Sequence, residues 1–305
     1  SGEYRDAKHT TPQAPELQAT LRMIKDVEKI DNVVMEVSSH ALEQNRVGGC
    51  CFNGAVLTNL TQDHLDYHIT MDNYFEAKAL LFKGLKEGDF AVINADDAYA
   101  QRFLDVIPQG VKKYTYGVKN NADVKAEDIH FSLNGAEFTL KAQGASHRVN
   151  LHMNGMFSVY NVLAAVTASI AMGIEIKTAL KALENVKGVA GRFEVVAKKP
   201  LVIVDYAHTP DGLENVLKSA REITPENGQL ICLFGCGGDR DATKRPKMGA
   251  IAEKIADKIV ITSDNPRSED PQQIITDIIA GLKSVNPETI TVEPDRGHAI
   301  ALLKT

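Results

Sequence analysis

Phe90-Ala91-Val92-Ile93, followed at once by Asn94-Ala95-Asp96-Asp97, is the stretch on which the fold turns. Four apolar residues in a row, without alternation, predict a strand covered on both faces. Working outward, residues 71–85 carry a helical pattern, and residues 55–58 (AVLT) form a second apolar run ending in Asn59. Residues 32–37 (NVVMEV) form a third, ending in Ser38-Ser39-His40. Apolar strands alternating with helices predict a parallel sheet. Ligands of such sheets bind at the carboxyl ends of the strands, so the polar residues just past each run are the site candidates.

Downstream the pattern changes. Short alternating segments over residues 124–153 surround Asn134-Gly135, a hairpin turn pair, and predict a small antiparallel sheet. A helix is predicted over residues 159–172. Gly188-Val189-Ala190-Gly191 reads as a junction, and a second alternating unit follows. Its predicted strands are residues 201–204, 230–234 and 259–262, and its helices residues 246–256 and 271–282. Thr209 is placed to cap a further helix, with Pro210 in its first turn. The predicted class is α/β, with domains at 1–190 and 191–305: a parallel-sheet domain with a small antiparallel sheet, then a Rossmann-like domain.

The bulk properties fit two domains in 305 residues, with 44% hydrophobic and 24% charged residues. A net charge of −6 argues against a general nucleic-acid surface. No apolar run reaches the roughly 20 residues of a membrane helix, and no signal-peptide pattern opens the chain. Cys50, Cys51, Cys232 and Cys236 form no CxxC pair and have no histidine at zinc spacing, as expected of thiols in a reducing cytoplasm. The opening Ser1-Gly2-Glu3-Tyr4-Arg5 is neither an initiator nor a targeting segment, so a further upstream part is expected.

Two residues, Glu36 and His64, offer oxygen and nitrogen donors for a divalent ion near a phosphate, and a third, Lys78, is odder. Glu36 ends one run, His64 lies in the polar loop Asp63-His64-Leu65-Asp66-Tyr67-His68, and Lys78 sits in the otherwise apolar Ala77-Lys78-Ala79-Leu80-Leu81-Phe82. By spacing alone, Glu36 and His64 read as turn and cap residues. A lysine among apolar neighbours is either a snorkelling surface residue or an active-site group, chemically modified or not, and the sequence weighs these evenly. Arg46 suits a carboxylate or phosphate; its plainer role is a surface ion pair. The stretch Gly235-Cys236-Gly237-Gly238 fails the G-x-G-x-x-G pattern, because Arg240 stands at the last glycine position. It reads as a tight turn presenting Arg240.

Several contiguous motifs resemble the Mur ligase family: Met35-Glu36-Val37-Ser38-Ser39-His40, the loop through Asp63-His64, Glu76-Ala77-Lys78, Asp205-Tyr206-Ala207-His208-Thr209-Pro210 and Gly235-Cys236-Gly237-Gly238-Asp239-Arg240-Asp241. The MurE type is the nearest in pattern. The resemblance implies an ATPase-like central domain and an ATP-dependent acid–amino-acid ligase of cytoplasmic peptidoglycan synthesis. It implies ATP and Mg2+ as cofactors, and a carbamylated Lys78 joining Glu36 and His64 around the metal. Thr10, Thr11, Ser38, Gln44 and Arg46 match contacts to UDP-N-acetylmuramoyl-L-alanyl-D-glutamate. His9 departs from the pattern, which has asparagine there. Asn161, Arg192 and Asp205 match the ATP site, at the adenine, phosphates and ribose. His208 carries little weight.

Asp264-Asn265-Pro266-Arg267 with Arg240 matches the type that adds meso-diaminopimelate, whose second carboxylate an arginine attracts where lysine's ammonium would be repelled. Two family parts are absent from the 305 residues: a G-x-x-x-x-G-K-[ST] phosphate loop and the Gly-Lys-Gly-His-Glu motif. They are expected, with a uridine-nucleotide domain, in a longer enzyme, and this chain alone is expected to be inactive. Two rival readings remain: a folylpolyglutamate synthase-like ligase, and a catalytically inactive binding or scaffold homologue.

Overall fold

Residues 90–94 do become a central strand. The computed structural model describes residues 9–132, 134–186 and 188–303; Ser1-Gly2-Glu3-Tyr4-Arg5 lies outside them. The chain divides into two units, Ser1–Leu60 with Tyr67–Ala122, and Thr61–Asp66 with Asp123–Thr305. In chain order the first stretch holds α1 (Ala14–Asp26), α2 (Ser39–Glu43), β1 (Gly54–Leu57), the single turn α3 (Leu65–His68), α4 (Met71–Lys83), β2 (Phe90–Asn94), α5 (Ala100–Val106) and β3 (Lys112–Gly117).

In the first unit β1, β2 and β3 run parallel, with Leu57 opposite Ile93 and Asn94 opposite Tyr116. Four of the five β2 residues are buried, as expected of an uninterrupted apolar strand covered on both faces. Their partners include Phe75, Ala79 and Phe82 of α4 and Phe103 of α5. Each fully buried large apolar side chain of this kind contributes about 1.5–3 kcal/mol. Thr70 caps α4 by accepting from the Asn73 N–H. The strand ends are cross-tied: Asn94 Nδ2 donates to Thr58 O at 2.8 Å, and Tyr116 Oη to Leu57 O at 2.9 Å.

The expected strand at residues 32–37 does not form. The segment has no regular secondary structure, and Val33 and Val34 are 47% and 96% exposed. An apolar run becomes a strand only where a neighbour takes up its N–H and C=O groups. Among the described residues β1 pairs with β2, and no ladder includes residues 32–37.

The second unit holds β4 (Val124–Ser132), β5 (Gly135–Ala142), β6 (Ala145–Leu151), α6 (Met156–Ala171), α7 (Ile176–Leu183), β7 (Glu194–Lys198), β8 (Leu201–Val204), α8 (Pro210–Glu222), β9 (Ile231–Phe234), α9 (Lys244–Ile255), β10 (Lys258–Ile261), α10 (Pro271–Ile279), β11 (Ile290–Val292) and α11 (Arg296–Leu302). The antiparallel β4-β5-β6 ladder forms, with Asn134 in the β4-β5 turn and Gly135 already the first residue of β5, opposite Ser132. Thr209 caps α8 through the Gly212 N–H, with Pro210 in the first turn. Strands β9, β10 and β11 are parallel in the order β11-β10-β9, packed on Leu213 and Leu217 of α8, Met248 and Ala252 of α9 and Ile274, Ile275 and Ile278 of α10. Strand β8 departs from expectation: it pairs antiparallel with β7 and not with the parallel sheet. Only Lys199-Pro200 separates the two strands, so the local hairpin closes at little entropic cost.

Candidate functional site

Four of the sequence-predicted substrate residues form one hydrogen-bonded cluster in the first unit. Thr11 is 1% exposed; its hydroxyl donates to Glu36 O at 2.9 Å and accepts from the Ser38 N–H at 3.0 Å. That clamp fixes the segment entering α2. Ser38 caps α2, its hydroxyl accepting from the Ala41 N–H. Arg46 donates twice to Gln44 Oε1, at 3.0 and 2.6 Å, and once to Thr11 O at 3.1 Å. Three of its five N–H donors are thereby used, leaving two for an anion. Gln44 in turn donates to Tyr67 Oη. Thr10 and His9 are exposed, and the Glu36 side chain is exposed beside the Thr11 clamp.

Lys78 is half-buried on α4, with its Nζ 5.2 Å from the centre of the Tyr74 ring one turn earlier. Tyr74 stacks on His68, with ring centres 5.1 Å apart. His68 is 3% exposed; its Nε2 lies 2.9 Å from Ser39 Oγ and its Nδ1 3.4 Å from Glu43 Oε2. A chain of contacts thus runs from Lys78 through two rings to α2. Glu43, Tyr67, His68, Asn73 and Glu76 line a cleft of about 340 Å³ beside it.

His64 belongs with the second unit. Its φ is +56°, its Nε2 lies 3.5 Å from Asp63 Oδ2, and His208 Nε2 approaches the same oxygen at 4.0 Å. Among the described residues, no group of three or more His, Cys, Asp or Glu side chains is placed to hold a metal ion.

The predicted nucleotide residues are tied together in the second unit. Asp205 accepts the Phe193 N–H on one oxygen and the Ala207 N–H on the other, both at 2.7 Å. Each oxygen keeps a second lone-pair direction for a hydroxyl. The Arg192 guanidinium lies 5.8 Å from the Tyr206 ring centre, and the Tyr206 N–H donates to Gly191 O. Phe193 packs on Phe157, with ring centres 5.9 Å apart, and the exposed Asn161 lies one turn beyond Phe157 on α6.

The loops after β9 and β10 form the most heavily cross-tied cluster. The Gly238 N–H donates to Asn265 O at 2.9 Å, and Arg267 Nη1 donates back to Gly238 O. Ser268 donates to the Asp239 carboxylate from both its N–H and its hydroxyl, and Asp239 returns its own N–H to Glu269 Oε1. A Cβ on Gly238 would stand 1.9 Å from Pro266 O, so only glycine permits this approach. Arg240 and Arg267 are both exposed at this junction. Asp264 Oδ1 lies 3.6 Å from Arg296 Nη1.

Two family profiles match the chain, "Mur ligase middle domain" over residues 2–169 and "Mur ligase, glutamate ligase domain" over residues 191–305. The chain belongs to the Mur ligase family. It is 50% identical over 297 residues to a UDP-N-acetylmuramoyl-L-alanyl-D-glutamate–2,6-diaminopimelate ligase of Synechococcus elongatus, covering 96% of this chain and 59% of that protein. A solved structure of a ligase bearing the same name superposes with a TM-score of 0.63 at 39% identity, over 94% of this chain and 59% of the other. A Mycobacterium tuberculosis folylpolyglutamate synthase superposes with a TM-score of 0.68 at 19% identity, over 83% of this chain and 56% of the other, a likeness of fold alone. The chain spans about three fifths of the length of the curated relatives it matches.

Within this Mur ligase chain, sequence reasoning missed Arg245, His68 and Tyr74. Arg245 is 1% exposed and bonds two carboxylates, yet in Thr243-Lys244-Arg245-Pro246 it reads as an ordinary surface charge at a helix start. His68 lay in a motif already quoted and Tyr74 in the helix expected over residues 71–85, but only the fold reveals their stacking.

Proposed function

We propose that the chain is part of an ATP-dependent ligase that joins meso-diaminopimelate to UDP-N-acetylmuramoyl-L-alanyl-D-glutamate in the cytoplasm, with domains meeting near Gly188-Val189-Ala190-Gly191. No helix among the described residues is long and apolar enough to cross a membrane. The observation carrying the reading is the pair Arg240 and Arg267, exposed on cross-tied loops at the carboxyl ends of β9 and β10. Ligands of parallel sheets bind there. A planar guanidinium grips a carboxylate through two parallel hydrogen bonds. Diaminopimelate carries a second carboxylate and lysine does not.

In this reading the precursor's terminal carboxylate takes the γ-phosphoryl group of ATP, releasing ADP and leaving an acyl phosphate. The amine then attacks the acyl carbon, and phosphate departs with the C–O bond. The two free Arg46 donors hold an anionic part of the precursor. The remaining lone pairs of Asp205 accept the ribose hydroxyls, Arg192 faces the phosphates, and Asn161 the adenine. Thr11 and Ser38 set the backbone on which the precursor rests, with Thr10 exposed beside them. Magnesium favours one or two carboxylates plus substrate phosphates over a dedicated protein cage; within the first unit Glu36 would offer a carboxylate and a Lys78 carbamate another. The ion would offset charge developing on the transferred phosphoryl group.

The test is an amino-acid panel on the full-length ligase. Diaminopimelate is expected to be joined and lysine refused, and Arg267→Ala is expected to erase that preference. A variant that kept it would refute the assignment.

A further inference from the structure

Arg245 lies in the first turn of α9 and is 1% exposed. Its Nη1 donates to Asp277 Oδ2 at 2.9 Å, and its Nη2 to Glu269 Oε1 at 2.8 Å and to Gly237 O at 3.4 Å. Its Nε is buried and has no hydrogen-bond partner among the described residues. Glu269 Oε1 also takes the Asp239 N–H, so one carboxylate is shared between the buried guanidinium and the backbone beside Arg240. Asp239 and Arg267 both sit in the left-handed region, with φ of +52° and +50°. Non-glycine residues hold that conformation only where their surroundings over-determine it. What surrounds them is the network that Arg245 closes, from Asp277 on α10 through Glu269 to the Asp239 and Gly237 backbone.

We infer that Arg245 is a positioning residue for amino-acid selection: it fixes the separation of Arg240 and Arg267, so that the two can meet one carboxylate. This rests on the function proposed above. Only a planar fork can reach two carboxylates and a carbonyl from different segments at once, so lysine does not replace it. Buried ion pairs of this kind are weak sources of stability.

The experiment uses the full-length ligase, with steady-state constants measured separately for diaminopimelate, lysine, ATP and the nucleotide-linked dipeptide. Arg245→Lys and Arg245→Met are expected to raise KM for diaminopimelate about 100-fold, the scale of a misplacement of roughly 1 Å at a reacting constellation. KM for ATP and for the dipeptide stays within about twofold. Asp277→Asn keeps the arginine and Glu269, and gives a smaller rise of the same kind; it serves where the other variants do not fold. A folded variant with unchanged KM for diaminopimelate overturns the inference, as does an equal rise in all three constants. If the unmodified enzyme itself refuses diaminopimelate, the functional reading has failed; if it accepts it and the variants do too, only the role of Arg245 has.

Discussion

An ammonium held against an aromatic face gains about 0.5–2 kcal/mol from the ring's quadrupole, and Lys78 over Tyr74 is such a pair. Carbamylation gives up that contact for an N–C bond to carbon dioxide and the release of two protons from the ammonium. The carbamate then repays its lost contact only beside a cation. Its yield should therefore rise when magnesium is added. With isotopically labelled bicarbonate, the full-length ligase should show a carbamate carbon resonance that strengthens with magnesium and vanishes in Lys78→Ala. No resonance at saturating bicarbonate and magnesium would leave Lys78 a plain ammonium. The sequence could not decide between these roles, because it shows apolar neighbours but not the ring one turn away. Glu269 and Asp277 make a second residue-scale case. Hydrogen bonds from Arg245 hold both carboxyls below their usual range. Lowered folded values stabilise the fold above the unfolded pKa values of about 4.3 and 3.9. That contribution is lost as pH falls through the lower folded values. Acid unfolding of Arg245→Met should therefore lose its steepest component below about pH 4, and the neutral-pH midpoint, where that contribution is fully present in the unaltered protein, should fall. An unchanged acid limb would contradict the linkage.

At the scale of elements, caps and turns were the most legible features. Thr209-Pro210 starts α8 as its residue types require, and Asn134 lies in the β4-β5 turn, with Gly135 one step on as the first residue of β5. Thr70→Ala removes the α4 cap and should cost about 1 kcal/mol, measured by urea unfolding; no change would mean that packing alone sets the start of α4. Pairing was less legible. Residues 32–37 have the composition of a strand without a partner, and residues 201–204 found theirs in the adjacent β7. Composition reports burial tendency but does not name the neighbour. The glycine segment after β9 was correctly separated from dinucleotide loops, yet its purpose lay in Pro266, 28 positions from Gly238 in sequence. Gly238→Ala pushes a methyl onto the Pro266 carbonyl. The two loops must part, and discrimination between diaminopimelate and lysine should fall with ATP affinity unchanged. Preserved discrimination would show that the close approach is dispensable.

At the scale of the molecule, the clusters differ in how much of the reaction each can perform. The proposed amino-acid cluster, over residues 237–269, is tied together within one unit, and the proposed precursor cluster of Thr11, Ser38, Gln44, Arg46 and Tyr67 within the other. Handling of the γ-phosphate has no such local basis. Asp205 and Arg192 address the ribose and outer phosphates in the proposed arrangement, but no G-x-x-x-x-G-K-[ST] stretch occurs in the 305 residues to wrap a phosphate in backbone N–H groups. Phosphoryl transfer relies on such positioning more than on covalent chemistry by the protein. The 305-residue chain, supplied with ATP, magnesium, precursor and diaminopimelate, should accordingly release no ligated product above background, and supplying bicarbonate should not rescue it. Chromatography of the uridine-linked species reads the result directly. Robust product from this chain would mean that its own residues cradle the phosphate by some other route. The assignment of Arg192 and Asp205 would then have to be redrawn before the amino-acid cluster could be credited with selecting a substrate for a reaction carried out beside it.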